Sequence, residues 1–404
     1  MRKLLFGAGL VAVVATAATA AIAATHAPAT HAAKANPATR LVKCGNTHLI
    51  GMAFPATGDA ASLGQQQLRW ALFFQSRWNK THKAKIRIVQ GDTQLPNTAQ
   101  ALSVAHQFAS ATTMLGVIGP AGSQEVQDTV NVYKNAGLAV VTGSATRVAL
   151  TRAKTGKPRE TPANYFFRTV PNDDQQGQRV SNYIRKTLKK SRVYIIDDDE
   201  AYSQGLADQV QKLLRASNAS VTRDHVSQSV SDFSSLITRI PSNTQVVYIP
   251  WQLAGKAQLF FTQLRTAGKS AIVFGSDGLF APGTFTAPNS YVSAFPVDFN
   301  SAALKAYKKA HANKEEAFGL PSYTAGLVVA TAIEKACKDG NVSRAEVRKN
   351  IIQTKLPKAA TLLGFAVRFL HKNSGASQGN GDMAAPANFA VFRIAKGGKY
   401  VRVS

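Results

Sequence analysis

An α/β protein with two lobes of similar plan is predicted from three features of this chain. Short apolar runs alternate with helix-period segments of roughly ten to eighteen residues, the pattern of a parallel, doubly wound sheet. The alternation restarts after Phe166-Phe167-Arg168-Thr169, which predicts a second α/β unit built like the first. Two apolar runs also end in small-residue turns about twenty residues apart, and open α/β sheets hold ligands at such carboxyl-end turns.

The first turn is Val117-Ile118-Gly119-Pro120-Ala121-Gly122-Ser123, a buried strand that breaks at Gly119-Pro120 and starts a helix near Ser123. The second follows Leu138-Ala139-Val140-Val141 and reads Thr142-Gly143-Ser144-Ala145-Thr146. Strand-to-helix turns leave unpaired backbone N–H groups facing a crevice, so the pair predicts a cradle for a carboxylate. Ser123 would also cap its helix, worth ~1 kcal/mol without any ligand.

In chain order, Thr47 to Phe54 reads as a strand ending at Pro55. Residues 62–79 read as a helix with Leu63, Leu68, Ala71, Leu72 and Phe74 on or near one face. Lys85 to Val89 is a strand ending in Gly91-Asp92-Thr93, and 97–111 is a helix leading into the first turn. The second unit runs through helix 174–190, strand 192–196, helix 205–217, a strand near 219–226, helix 233–240 and strand 245–249. Pro250-Trp251-Gln252 opens helix 254–267, and strand 271–274 ends in Gly275-Ser276-Asp277-Gly278. Helices at 300–312 and 322–337 follow. Beyond 361, residues 363–369 and 389–394 read as antiparallel strands joined by a mobile Gly/Asn-rich loop.

The N-terminus is Met1-Arg2-Lys3, an apolar run from Leu4 to Val14, and Ala21-Ile22-Ala23 as a small-x-small cleavage site, which together predict a secretory signal peptide over 1–23. Residues 24–43 read as a disordered leader. Lys43 before Cys44 lacks the small residues of a lipoprotein site. The two cysteines, Cys44 and Cys337, are expected to pair in an oxidising compartment. Neither has a second cysteine or a histidine at ligand spacing, so no metal site is expected. The run Asp197-Asp198-Asp199-Glu200 lacks the Gly and terminal Glu of an EF-hand and reads as a solvated acidic loop. The formal charge of +26 comes from Lys and Arg spread along the chain. Aromatics do not interleave with them as in single-strand binders, so a basic surface adhering to an anionic envelope is expected and nucleic acid is not.

Six tags in order, Pro55-x-Thr57-Gly58 with Asp92, Ile118-Gly119-Pro120-x-x-Ser123, Ser144-Ala145-Thr146, Phe167-Arg168-Thr169, Tyr202-x-x-Gly205-Leu206 and Gly275-x-Asp277-Gly278, resemble the type I periplasmic binding proteins, specifically the leucine/isoleucine/valine-binding proteins that feed ABC importers. The similarity runs from about residue 45 to about 400. It implies two Rossmann-like lobes, 44–168 with 296–361 and 169–295 with 362–404, joined by a three-stranded hinge with crossovers near Thr169, Phe295 and Leu362 and closing on a solute. It also implies a carboxylate site at Ala121, Gly122, Ser123 and Thr146, and an ammonium site at the Ala145 backbone and Asp277. Tyr202 and Phe318 would enclose the side chain, and Trp251, just past a strand end, could stack on it. Leu63 stands where the family often has Tyr, and Asp277 is one methylene shorter than the family's Glu.

The resemblance also places the cysteines. With strand 47–54 ending at the cleft, Cys44 lies at the far base of the first lobe. If helix 322–337 starts at the cleft, its ~22 Å length at 1.5 Å per residue brings Cys337 to the same base.

Enzymatic motifs are missing: neither Gly-x-Ser-x-Gly nor His-Glu-x-x-His occurs, and Gln263 stands where a P-loop reading of Gly268-Lys269-Ser270 needs glycine. The expected function is capture of an amino acid (branched-chain, other apolar or aromatic) or similar small carboxylate for an ABC importer, by a non-catalytic, secreted monomer that needs no cofactor. A ligand-sensing subunit of a signalling system and a binder of an anionic envelope polymer remain the alternatives.

Overall fold

The computed structural model describes residues 36–45, 47–153, 157–295, 302–310, 316–371, 379–384 and 389–404. The signal peptide and most of the leader lie outside the described residues, as do 372–378 and 385–388 of the Gly/Asn-rich loop.

The first part of the chain runs β1 (Val42–Lys43), β2 (His48–Phe54), α1 (Ala61–Thr81), β3 (Ile86–Asp92), α2 (Thr98–Ser110), β4 (Met114–Ile118), α3 (Ser123–Asn135), β5 (Val140–Thr142) and β6 (Phe166–Arg168). The second runs α4 (Asp173–Asn182), β7 (Arg192–Asp197), α5 (Ala201–Ala216), β8 (Ser220–His225), α6 (Ser234–Arg239), β9 (Val246–Ile249), α7 (Ala254–Thr266), β10 (Ile272–Gly275) and β11 (Tyr291–Ala294). The last comprises α8 (Ala302–Ala310), α9 (Gly319–Ala336), β12 (Asn341–Val342), α10 (Arg344–Ile352), β13 (Lys355–Leu356), β14 (Val367–Arg368), β15 (Ala390–Ile394) and β16 (Tyr400–Arg402).

Two sheets carry the fold. One is parallel, in the order β3-β2-β4-β5-β6; the other, β16-β15-β11-β10-β9-β7-β8, is parallel except for β15 and β16 at one end. All five β4 residues are buried, the near-continuous apolar run expected of a parallel strand covered on both faces. Helix α9 is buried along most of its length between α1, α10 and the first sheet, so it too is apolar nearly all round.

The chain passes from the first sheet to the second after β6, returns through α8 and α9 after β11, and passes again before β15. At the first and last of these passages a buried polar knot forms. Arg168 of β6 donates from Nε to Asp382 at 2.5 Å and from Nη1 to the carbonyls of Ala145 and Arg147 at 3.1 and 3.0 Å. Asp382 also accepts from Thr151 at 3.1 Å, Asn172 at 3.2 Å and the Gly379 amide at 2.8 Å.

The structure departs from several expectations. In α1 the buried face is Leu63, Gln67, Trp70, Phe74 and Trp78, while Leu72 points outward at 37% exposure. Trp70 stacks on Tyr307 of α8 at 3.9 Å, so the helix turns Trp70, Phe74 and Trp78 inward beside Leu63 and leaves Leu72 outside. Helix α5 begins at Ala201, four residues early, because Glu200 caps it by accepting from the Tyr202 amide at 2.9 Å. The helix expected over 322–337 starts at Gly319, where a side chain would collide with the Trp70 indole. Residues 363–369 and 389–394 do not pair with each other: β14 pairs with β13, and β15 is an inserted neighbour of β11 and β16. The end of the leader is ordered, since Val42 and Lys43 pair with Val342 and Asn341. Only Asp199 of the acidic run is exposed. Asp197, Asp198 and Glu200 are buried, Asp197 against Arg223 at 2.7 Å and Asp198 against Gln228 at 2.9 Å.

The Cys44–Cys337 disulfide is present and closes a sequence separation of 293 residues. His48, four residues beyond Cys44, brings Nε2 to 3.6 Å from the Cys337 sulfur, a neighbour the spacing argument overlooked. With both sulfurs bonded to each other, neither is a thiolate ligand. Reduction, or Cys44→Ser with Cys337→Ser, is expected to lower unfolding free energy by about 2 kcal/mol in urea titrations. Equal stability of both redox forms would show that the bridge constrains little.

Candidate ligand-binding cleft

The two turns read from the sequence lie side by side because β4 and β5 are adjacent parallel strands, with Val117 opposite Val140. Side chains of the second turn stitch it to the first. Thr142 donates to the Pro120 carbonyl at 2.6 Å and Ser144 to that of Ala121 at 2.7 Å, while Ser123 accepts from the Arg147 amide at 3.3 Å. Gly119 makes the bend with φ of 101°, and a Cβ there would strike the Ala53 carbonyl. Asp92 holds the neighbouring turn by accepting from the Ala56 amide at 2.8 Å and the Thr57 hydroxyl at 2.5 Å.

Ser123 is not the cap of α3. Gly122 holds that position, and the Glu125 carboxylate accepts from its amide at 2.8 Å. The Gly122 N–H is therefore engaged within the protein, Glu200 meets the Gln124 N–H, and the Ser123 amide is left to face an anion.

Across from this turn stands the end of β10. Asp277 follows it in a short 3-10 turn and is 3% exposed. The Tyr202 hydroxyl, from the first turn of α5, donates to Asp277 Oδ1 at 2.5 Å. Burial raises the Asp277 pKa to about 6, against the Tyr202 hydrogen bond that lowers it. The two walls enclose a cavity of about 240 Å³ including its open mouth, lined in part by Leu63, Ser123, Tyr202, Gln252, Asp277 and Phe318. Ala121, Gly122, Ser144 and Gly278 complete the lining. The walls also touch directly: Gln66 donates to the Phe280 carbonyl at 3.4 Å, and Arg147 to that of Ala201.

Seven of the ten site residues expected from the sequence thus line one cavity: Leu63, Ala121, Gly122, Ser123, Tyr202, Asp277 and Phe318. Three do not. Trp251 packs into the second sheet's core, stacked on Phe233 at 5.5 Å with its indole N–H on the Ile196 carbonyl at 2.8 Å. The Ala145 carbonyl is occupied by Arg168. Thr146 is fully buried just behind the lining, its hydroxyl without a hydrogen-bond partner and facing Asp173.

Sequence reasoning missed Gln252, Ser144, Asp173 and Glu200. Consecutive residues at a strand end face opposite sides, so Trp251 entering the core sends Gln252 to the cleft. The Gln252 amide nitrogen is buried there without a partner. Glu200 faces that amide and the Gln124 N–H at the start of α3; burial raises it to about 7. Asp173 is raised to about 8, first by burial and then by the charge of Asp277. Asp277 has no hydrogen-bonded Lys or Arg, so this end of the cavity is suited to a cation.

A family profile described as Periplasmic binding protein matches residues 48–398, and the chain belongs to that family. It is 31% identical over 300 residues to a Leu/Ile/Val-binding protein of Rhizobium johnstonii, covering 71% of this chain and 79% of that one. It is 30% identical to an amino acid binding protein of Pseudomonas aeruginosa over 57% of this chain, spanning only 60% of that protein's length. Among solved structures, a leucine binding protein, LivK, from Thermotoga maritima superposes with a TM-score of 0.75 at 19% identity, over 89% of this chain and 98% of that one. That likeness shows the shared two-lobed fold.

Proposed function

We propose that this chain captures a zwitterionic amino acid outside the cytoplasm and hands it to the membrane subunits of an ABC importer. The observation that carries the reading is one small cavity with an anion-seeking helix start at Ser123 on one wall and the buried Asp277–Tyr202 pair on the other. A ligand with a carboxylate and an ammonium satisfies both ends. Leu63 and Phe318 provide apolar lining for a side chain. The names of the relatives, Leu/Ile/Val-binding and amino acid binding, support the same class.

In this reading Ser123 and Thr146 act from lobe 1 (44–168 and 296–361), and Tyr202 and Asp277 act from lobe 2 (169–295 and 362–404). The three passages near Thr169, Phe295 and Leu362 serve as the hinge, and ligand favours closure because it touches both walls. The protein works as a non-catalytic monomer, directed outward by the signal peptide over 1–23. Its charge of +26 favours retention at an anionic envelope, an association expected to fade between low and moderate salt.

A thermal-shift screen of the twenty amino acids with aromatic and short aliphatic acids tests the reading. Ligand at a hundredfold its Kd adds about 2.7 kcal/mol to stability, so one or more aliphatic or aromatic amino acids should raise Tm. A shift with acids lacking an ammonium, and none with amino acids, would remove the amino-acid assignment.

A further inference from the structure

Asp173 is a buried acid that the cradle-and-ammonium scheme does not use. It opens α4, is 1% exposed, and neither carboxyl oxygen has a hydrogen-bond partner. Its backbone N–H donates to the Thr146 carbonyl at 3.0 Å, which ties the two residues together, and the Thr146 side chain is a neighbour of the Asp173 carboxyl. Five titratable or charged groups surround it: Arg168 of β6, Arg147 after the second turn, Asp277 after β10, Tyr202 of α5 and Tyr248 of β9. The arginines are already engaged, Arg168 by Asp382 and backbone carbonyls, Arg147 by both oxygens of Glu160 at 2.9 and 3.0 Å. The Tyr202 proton goes to Asp277.

An ionised Asp173 would sit desolvated beside a second carboxylate, whereas a neutral acid carries a proton that needs an acceptor. We propose that Asp173 acts as a neutral carboxylic acid whose O–H donates to Thr146 Oγ1, aiming the Thr146 proton at the ligand carboxylate. This makes Asp173 a positioning residue, and it rests on the reading that Thr146 binds that carboxylate. An ionised Asp173 would instead accept the threonine proton and leave the Thr146 lone pairs facing the ligand's negative charge.

The sign of the pH dependence follows. Binding is full while Asp173 is protonated and declines as pH rises through about 8, its raised pKa. Between pH 7 and 9 the expected loss is about tenfold.

The test is calorimetric titration of L-leucine into the full chain at pH 7, 8 and 9, for wild type, Asp173→Asn, Asp173→Ala and Thr146→Val. Asparagine keeps a neutral N–H donor, so this variant should bind within about threefold of wild type at pH 7 and lose the protein's share of the alkaline decline. Titration of the ligand ammonium is common to all variants and cancels in the comparison. Asp173→Ala should be about tenfold weaker at pH 7. An alkaline decline that persists in Asp173→Asn, or full affinity in Asp173→Ala, overturns the proposal. Thr146→Val binding as tightly as wild type, or no leucine heat in wild type, instead overturns the site reading beneath it.

Discussion

Affinity for an amino acid is expected to fall by at least ~2 kcal/mol, about thirtyfold, when Asp277 is replaced by alanine. Removing the carboxylate leaves the ligand ammonium buried without its counter-charge, and it strips Tyr202 of its acceptor at 2.5 Å. Asp277→Asn keeps the shape and isolates the charge term. A second signature comes from titration. Burial raises Asp277 to about 6, so binding is full above that pH and declines as pH falls through it. Calorimetry at pH 5 and 7 checks both. Unchanged affinity in Asp277→Ala would mean that the ligand brings no ammonium to this wall.

Replacing Arg344 by leucine is expected to destabilise the fold by about 3–5 kcal/mol without touching the cleft. Its guanidinium is buried and donates to four carbonyls: Met114 at 2.8 Å, Ala109 at 3.2 Å, Ala111 at 2.6 Å and Ala136 at 2.8 Å. Those carbonyls close α2, open β4 and end α3, so one side chain satisfies the orphan acceptors of two helix ends. Burial lowers its pKa to about 10, which leaves it charged at neutral pH. Hydrogen bonds to charged donors contribute about 1.5–3 kcal/mol each, and the loss exceeds the desolvation relieved. Urea unfolding should show a lower midpoint at unchanged slope. Arg344→Lys, with one point charge for four acceptors, should fall between. A midpoint shift below ~1 kcal/mol in the leucine variant would show that water or backbone movement supplies the missing donors.

The alternation of apolar runs and turns made the two sheets legible, because parallel strands buried on both faces cannot hide their apolar content. The side-by-side turns and Asp277 were legible for the same reason: they are the carboxyl ends of those strands. What escaped depended on orientation. Trp251 and Gln252 differ by one residue, and only their contacts decide which faces the cleft. In α1 the aromatics won the buried face over Leu72, since Trp70 had Tyr307 to stack on. Asp173 reads locally as an acid suited to a helix start, and nothing adjacent in sequence announces Asp277 or Thr146 as its neighbours. The pairing of β14 with β13 joins short segments whose two-residue ladders have no periodicity to read.

The knot around Arg168 reaches across 214 residues to Asp382. Two stretches of chain that run between the sheets are thus bolted to each other by charge and amide contacts shielded from water. Neither can swing without carrying the other. On the proposed hinge reading, rotation of the halves draws its freedom from backbone on either side of that bolt, and a loosened variant such as Asp382→Ala is expected to blur the pivot.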